Sequence, residues 1–187
     1  MFEQTSYSEQ LTFFQKLRSF DYILLLCIVL IGTISGFSMY STDGGELLYH
    51  SRSHIIRLAI FFTMMICFSF FSIRFWHSIG YLFYAIVLFL LIWASLHGIT
   101  ASGSQRWISL YFINLQPSEL MKVAIIIFYA KFYHRMQISH VNNFKNLLIP
   151  LAILILPILL VASQPDLGTA ILIALSGLVV LWLAGLH

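Results

Sequence analysis

Four ionisable side chains stand where this sequence is otherwise largely apolar: Arg106, Glu119, Lys122 and Asp166. The two acids belong to a recurring phrase, Gln116-Pro117-Ser118-Glu119 and Gln164-Pro165-Asp166. Proline suits the first helical turn, where its missing N–H is no loss. An acid there meets free backbone N–H groups and the positive end of the helix dipole, so Glu119 and Asp166 can each cap a helix. The dipole gives roughly 0.3–1 kcal/mol, whereas a charge at membrane depth costs roughly 2.5–3.5 kcal/mol. A polar partner or a wet cavity is then required. Lys122 is one such partner, since Glu119 and Lys122 lie at i and i+3 on one helical face. That face reads either as a self-neutralising pair or as the lining of a cavity for an anionic headgroup, with Lys122 and Arg106 as cationic contacts.

Other chemistries find no support. There is no Gly-rich phosphate loop, nucleophile elbow or His-Glu-x-x-His motif. His50 and His54 share a helical spacing but have no evident third ligand, so no metal site is assigned. Cys27 and Cys67 fall inside apolar runs and read as two small buried hydrophobes, not as a disulfide. Gly32 and Gly36 form a Gly-x-x-x-Gly pattern, read as close helix packing.

The elements that hold these residues are membrane spans. Of 187 residues, 60% are hydrophobic and only 9% charged, with 17 Phe, 9 Tyr and 4 Trp. Mean hydropathy is +0.91. A soluble domain averages about 45–50% apolar and about 25% charged, so a bilayer is the solvent that suits this chain. The net charge of +3 is small and scattered, with no Lys/Arg-rich run, which excludes a nucleic-acid partner. Long, non-alternating apolar runs predict an all-α integral membrane bundle of about six transmembrane helices, near 22–40, 55–73, 79–96, 117–132, 147–162 and 167–186. Arg74 to His77 is expected as a polar break. Gly98 to Ser118 alternates too irregularly to span, and Arg106 beside Trp107 suits an interfacial segment between the third and fourth spans. Residues 1–21 are expected to form a cytoplasmic N-terminal segment. That orientation puts Lys16, Arg18, Arg74, Lys131, Arg135 and Lys145 inside against Arg52, Arg57, Arg106 and Lys122 outside, a modest positive-inside bias.

Taken in order, Gly103-Ser104-Gln105-Arg106-Trp107-Ile108, Gln116-Pro117-Ser118-Glu119-Leu120-Met121-Lys122 and Gln164-Pro165-Asp166-Leu167-Gly168-Thr169-Ala170 resemble the signature of the SEDS (shape, elongation, division and sporulation) family. Their wording is closer to its rod-shape-determining branch. The resemblance runs from about Asp21 onward and is diagnostic only in these segments. It implies a polytopic bacterial inner-membrane peptidoglycan glycosyltransferase. Such an enzyme polymerises lipid II, the undecaprenyl-diphosphate-linked precursor, beside a class B penicillin-binding protein that cross-links the product. Arg106, Glu119, Lys122 and Asp166, with Gln116, Ser118 and Gln164 beside them, would then line or flank the family's polar cavity.

A glycan-extending step needs a carboxylate to take the acceptor's proton and a cation or metal to stabilise the diphosphate leaving group. Arg106 and Lys122 fit the second role, while a divalent metal is left undecided. A typical family member is about twice as long, and the aspartate proposed as its base lies in a large periplasmic loop of the later half. The chain is therefore expected to be an N-terminal half, with no catalytic base of its own and incomplete as a polymerase by itself. Two other readings stand beside the enzyme: a lipid II flippase using the same cavity, and a non-catalytic remnant or scaffold of the elongation complex.

Overall fold

The computed structural model describes residues 13–101, 104–110, 113–134, 136, 141 and 144–186, with backbone alone at 13, 16, 100, 101, 104, 105, 110, 113, 144 and 145. Gly103, Arg135, His187 and most of the 1–21 segment lie outside these residues, as do the side chains of Lys16 and Lys145. The chain divides into two compact units, residues 1–71 and 72–187.

In the first unit, α1 (Phe13–Arg18) precedes a hairpin of α2 (Tyr22–Thr42) and α3 (Tyr49–Ser69). Asp21 starts α2, its carboxylate accepting from the N–H groups of Ile23 and Leu24 at 3.0 Å each. The helices meet at Gly32, where a Cβ would lie 2.7 Å from Leu58 Cδ2, so the Gly-x-x-x-Gly pattern does serve close packing. His54 Nε2 donates to the Gly32 carbonyl at 3.0 Å. Cys27 and Cys67 are free thiols on exposed positions, not buried ones. An apolar side chain in such a helix need not face protein, because lipid is equally apolar.

The loop explains why α3 begins at Tyr49 and not near Ile55. Asp43 accepts from the Ser51 N–H at 2.7 Å, the Ser51 hydroxyl at 2.6 Å and His50 Nδ1 at 2.8 Å. It thereby caps the polar first turn of α3 from outside the helix. Hydrogen bonds from the Ser51 hydroxyl and N–H, the largest effects, hold the Asp43 carboxyl far below its usual 3.8. A depressed carboxylate stabilises the folded state above that usual value and loses its contribution as pH falls through the lowered one. Asp43→Asn is therefore expected to lower the unfolding temperature at pH 7, with the gap to wild type closing only in strong acid. A pH series of thermal melts checks this.

In the second unit, Ser72 N-caps α4 (Ile73–His97), its hydroxyl accepting from the Phe75 N–H at 3.2 Å. Arg74 to His77, expected as a break, are its first turns, because the cap precedes them. A three-stranded antiparallel meander follows: β1 (Ile99–Ala101), β2 (Ser104–Leu110) and β3 (Ile113–Leu115). The segment expected to be merely interfacial thus folds as a small sheet. Next come α5 (Pro117–Tyr133), α6 (Phe144–Ser163) and α7 (Leu167–Leu183). Among the described residues, four helices (α2, α3, α4 and residues 146–163 of α6) are long and apolar enough to cross a membrane, and α7 is a shorter apolar helix.

The core of this unit lies between α4, α5, α6 and α7. Val87 and Leu91 of α4, Met121, Ile125 and Tyr129 of α5, Val161 of α6 and Ile173 and Leu181 of α7 are among its fully buried members. Met121, Ile125 and Tyr129 repeat every four residues, one inward stripe of α5. Helix α6 carries Pro150 and Pro157 internally. Pro157 has no N–H to give the carbonyl four residues earlier, that of Ile153. Tyr84 of α4 donates to that carbonyl at 2.8 Å, and buried Tyr129 of α5 donates to the Pro150 carbonyl at 2.6 Å. Tyr84 thus satisfies the carbonyl that Pro157 leaves without a partner, and Tyr129 adds a second donor to a carbonyl that the Leu154 N–H already faces within the helix.

Gly98 joins α4 to β1 where three backbone atoms crowd it. An added Cβ would collide with the Ala94 carbonyl oxygen and lie 3.1 Å from the Trp107 carbonyl oxygen. Backbone cannot swing aside as a side chain can. Gly98→Ala is expected to destabilise by about 1–3 kcal/mol, read as a lowered unfolding temperature in detergent.

Candidate functional site

Asp166 gathers residues from three separate elements. Its Oδ2 accepts from Arg106 Nη1 of β2 at 3.0 Å and from Gln116 Nε2 at 3.1 Å. Its Oδ1 accepts from the Thr169 hydroxyl at 2.9 Å and the Thr169 N–H at 3.3 Å. Asp166 is the N-cap of α7 and Gln116 occupies the same place before α5. Their hydrogen bond therefore brings two helix N-termini together.

Local structure delivers Arg106 to this point. Ile99 pairs with Trp107 and Thr100 with Gln105, so the ladder skips Arg106 as a β-bulge. A bulge leaves one residue outside the pairing and re-aims its side chain. The guanidinium is three-quarters buried, and the Asp166 carboxylate beside it is only 11% exposed. Burial, the largest single effect, raises the Asp166 pKa, but the hydrogen bonds from Thr169 and Arg106 outweigh it. The net value lies below the usual carboxylate range. A carboxylate accepting four hydrogen bonds and held ionised is a poor proton acceptor.

The other sequence-predicted residues divide. Lys122 Nζ donates to Glu119 Oε2 at 2.8 Å, forming the i, i+3 pair, with Glu119 half exposed. Among the described residues neither pairs with Asp166, so the expected set resolves into a self-paired couple and a separate cluster. Gln116 makes no cap with its own side chain, which is turned to Asp166 instead. Ser118 is 1% exposed and Gln164 5% exposed. Ser118 Oγ, Gln164 Nε2 and Arg106 Nε are buried and unpartnered among the described residues. Buried polar groups are normally satisfied, so these donors are open to a water or a polar ligand. Among the described residues no three His, Cys, Asp or Glu side chains come together as a metal site.

Sequence reasoning did not single out Thr169. The available signal was its place three residues after an acid at a helix start, where a side chain reaches back to the cap. The cluster as a whole offers a guanidinium, neutral donors and two helix N-termini, which is the chemistry of an anion site.

Comparison with known proteins agrees with these motifs. A family model described as "Cell cycle protein", that of FtsW, RodA and SpoVE, matches residues 15–187. Peptidoglycan glycosyltransferase MrdB of Escherichia coli K12 is 34% identical over 175 residues, which cover 94% of this chain and 46% of MrdB. The crystal structure of Thermus thermophilus rod shape determining protein RodA superposes with a TM-score of 0.77 at 22% identity, covering 90% of this chain and 55% of RodA. A chain from a peptidoglycan synthase complex, described for its polymerization and crosslinking, gives 0.77 at 22% identity, covering 89% of this chain and 48% of that one. These structural likenesses show the fold, a polytopic helical membrane bundle. The chain spans about half the length of the curated relatives it matches. With its motifs, its helices and 173 matched residues (15 through 187) in accord, this multi-pass membrane protein belongs to the FtsW/RodA/SpoVE family, the SEDS proteins, on the rod-shape-determining side.

Proposed function

We propose that this chain supplies the lipid-diphosphate subsite of a peptidoglycan glycosyltransferase of cell-wall elongation, acting on lipid II. The observation that carries the reading is the convergence of the three motifs on Asp166, with Arg106 Nε, Ser118 Oγ and Gln164 Nε2 left as buried donors. In this role Arg106 stabilises the negative charge that develops on the diphosphate as it leaves, and Lys122 adds a second cation nearby in sequence. Asp166 holds Arg106 and does not take the acceptor proton. Glu119 is held by Lys122 and stands apart from the Asp166 cluster. On this reading the base is a carboxylate outside these motifs. The partner is a class B penicillin-binding protein, a reading supported by the likeness to a chain of a peptidoglycan synthase complex. The N-terminus is cytoplasmic, which sets β2 and the starts of α5 and α7 on the outer side.

The test uses the protein as its own gene encodes it, purified with its transpeptidase and supplied with labelled lipid II in detergent. Glycan strands, which form without a second leaflet, are the expected result. Translocation of lipid II across vesicles with no polymer would instead establish a flippase. Neither activity, with the transpeptidase still bound, would establish a scaffold.

A further inference from the structure

A threonine inside a helix ordinarily turns its hydroxyl back to the carbonyl four residues earlier. Thr33, Thr42 and Thr63 all do so here, donating to Val29, Ser38 and Ala59 at 2.7–3.0 Å. Thr169 does not. Its hydroxyl donates to Asp166 Oδ1 at 2.9 Å, in addition to the N–H bond that N-capping requires. The residue is 9% exposed, so this hydroxyl has little access to water as an alternative partner.

The two carboxylate oxygens are consequently divided between two tasks. Oδ1 belongs to Thr169 and α7, while Oδ2 faces Arg106 and Gln116. Two donors on Oδ1 fix the rotation of the carboxyl group, and with it the place of Oδ2. Arg106 sits on a bulge, outside the ladder pairing that would otherwise locate it. Its head is anchored through Nη1, and Nε remains buried and unpartnered among the described residues.

We propose that Thr169 is a positioning residue: acting through the Asp166 carboxylate, it fixes the Arg106 guanidinium so that its unpartnered N–H is presented to the lipid diphosphate. This rests on the reading of the cluster as the diphosphate subsite. A capping residue alone would affect stability and leave affinity untouched. A positioning residue affects affinity while the fold survives.

The experiment titrates undecaprenyl diphosphate into the detergent-solubilised full protein and reads its Kd, with thermal unfolding recorded in parallel. A charged hydrogen bond lost through misplacement costs about ten- to a hundredfold in affinity. Thr169→Val, which keeps the shape and removes the hydroxyl, is expected to weaken binding by about ten- to a hundredfold with the unfolding temperature retained. Thr169→Ser, which restores the hydroxyl, regains most of the affinity. Wild-type affinity in a folded Thr169→Val overturns the positioning role and leaves the subsite reading intact. If wild type itself does not bind the probe, the subsite reading falls first. Thr169→Ala serves if the valine variant does not fold, and failure of both to fold makes Thr169 a folding residue and overturns the proposal.

Discussion

Arg106→Ala is expected to reduce glycan formation from lipid II by a hundredfold or more, on the order of the loss seen when a charge-stabilising donor is removed from other active sites. The substitution removes the cation of the cluster and leaves Asp166 ionised beside Gln116 and Thr169. Removing one partner of a fully buried pair costs about 3–5 kcal/mol. Here the guanidinium is 24% and the carboxylate 11% exposed, so the stability loss is smaller. Arg106→Lys separates charge from geometry. An ammonium is a point charge without the guanidinium's fixed fork, and it cannot grip Asp166 while presenting a second donor from the same plane. It is expected to fold better than the alanine variant yet polymerise almost as poorly. Labelled lipid II resolved on gels, beside thermal melts of each protein, measures both. More than a third of wild-type polymer from a folded Arg106→Ala would remove Arg106 from the reaction.

The largest effect on stability is expected from Tyr84→Phe combined with Tyr129→Phe. Each change keeps the ring in the core and deletes the hydroxyl that reaches a carbonyl of α6. For Tyr84 the Ile153 carbonyl is left without a donor, which costs about 1–3 kcal/mol; the Pro150 carbonyl keeps the Leu154 N–H of its own helix, so the Tyr129 change costs less, about 0.5–1.5 kcal/mol, and the pair costs more than either alone. The Tyr84 case carries its own control. Pro157→Ala restores the N–H that the Ile153 carbonyl lacks, so in that background Tyr84→Phe should cost much less. Unfolding temperatures of the four proteins in this cycle decide it. Equal costs with and without Pro157 would show that the hydroxyl does something other than replace the missing N–H.

Helices α2, α3, α4 and α6 were legible because each holds a long apolar run whose length the bilayer dictates. Their starts were less so. The early beginning of α3 depends on Asp43 reaching across a loop to Ser51, and that contact has no local periodicity to reveal it. The meander was missed for a related reason. Its outer strands are three residues each, and the bulge at Arg106 breaks the two-residue alternation that would mark the middle one. Within the site, the Glu119–Lys122 pair followed from helical spacing alone. The distant partners of Asp166 did not, since Gln116 lies 50 residues away and Arg106 farther still. The recurring Gln-Pro phrase pointed to two similar helix starts. Only the fold sets them against each other.

The tyrosine bonds to α6 also bear on how the protein is made. A helix with two internal prolines enters the membrane with backbone carbonyls that it cannot satisfy itself. The hydroxyl that satisfies one of them, the Ile153 carbonyl, comes from α4, and a hydroxyl from α5 reaches the neighbouring Pro150 carbonyl; both helices are earlier in the chain. Synthesis runs from the N-terminus, so these donors are already in the bilayer when α6 leaves the ribosome. Biogenesis is thereby ordered: α6 matures by docking onto a waiting pair, and a chain missing the Tyr84 hydroxyl would hold an unsatisfied Ile153 carbonyl within the bilayer.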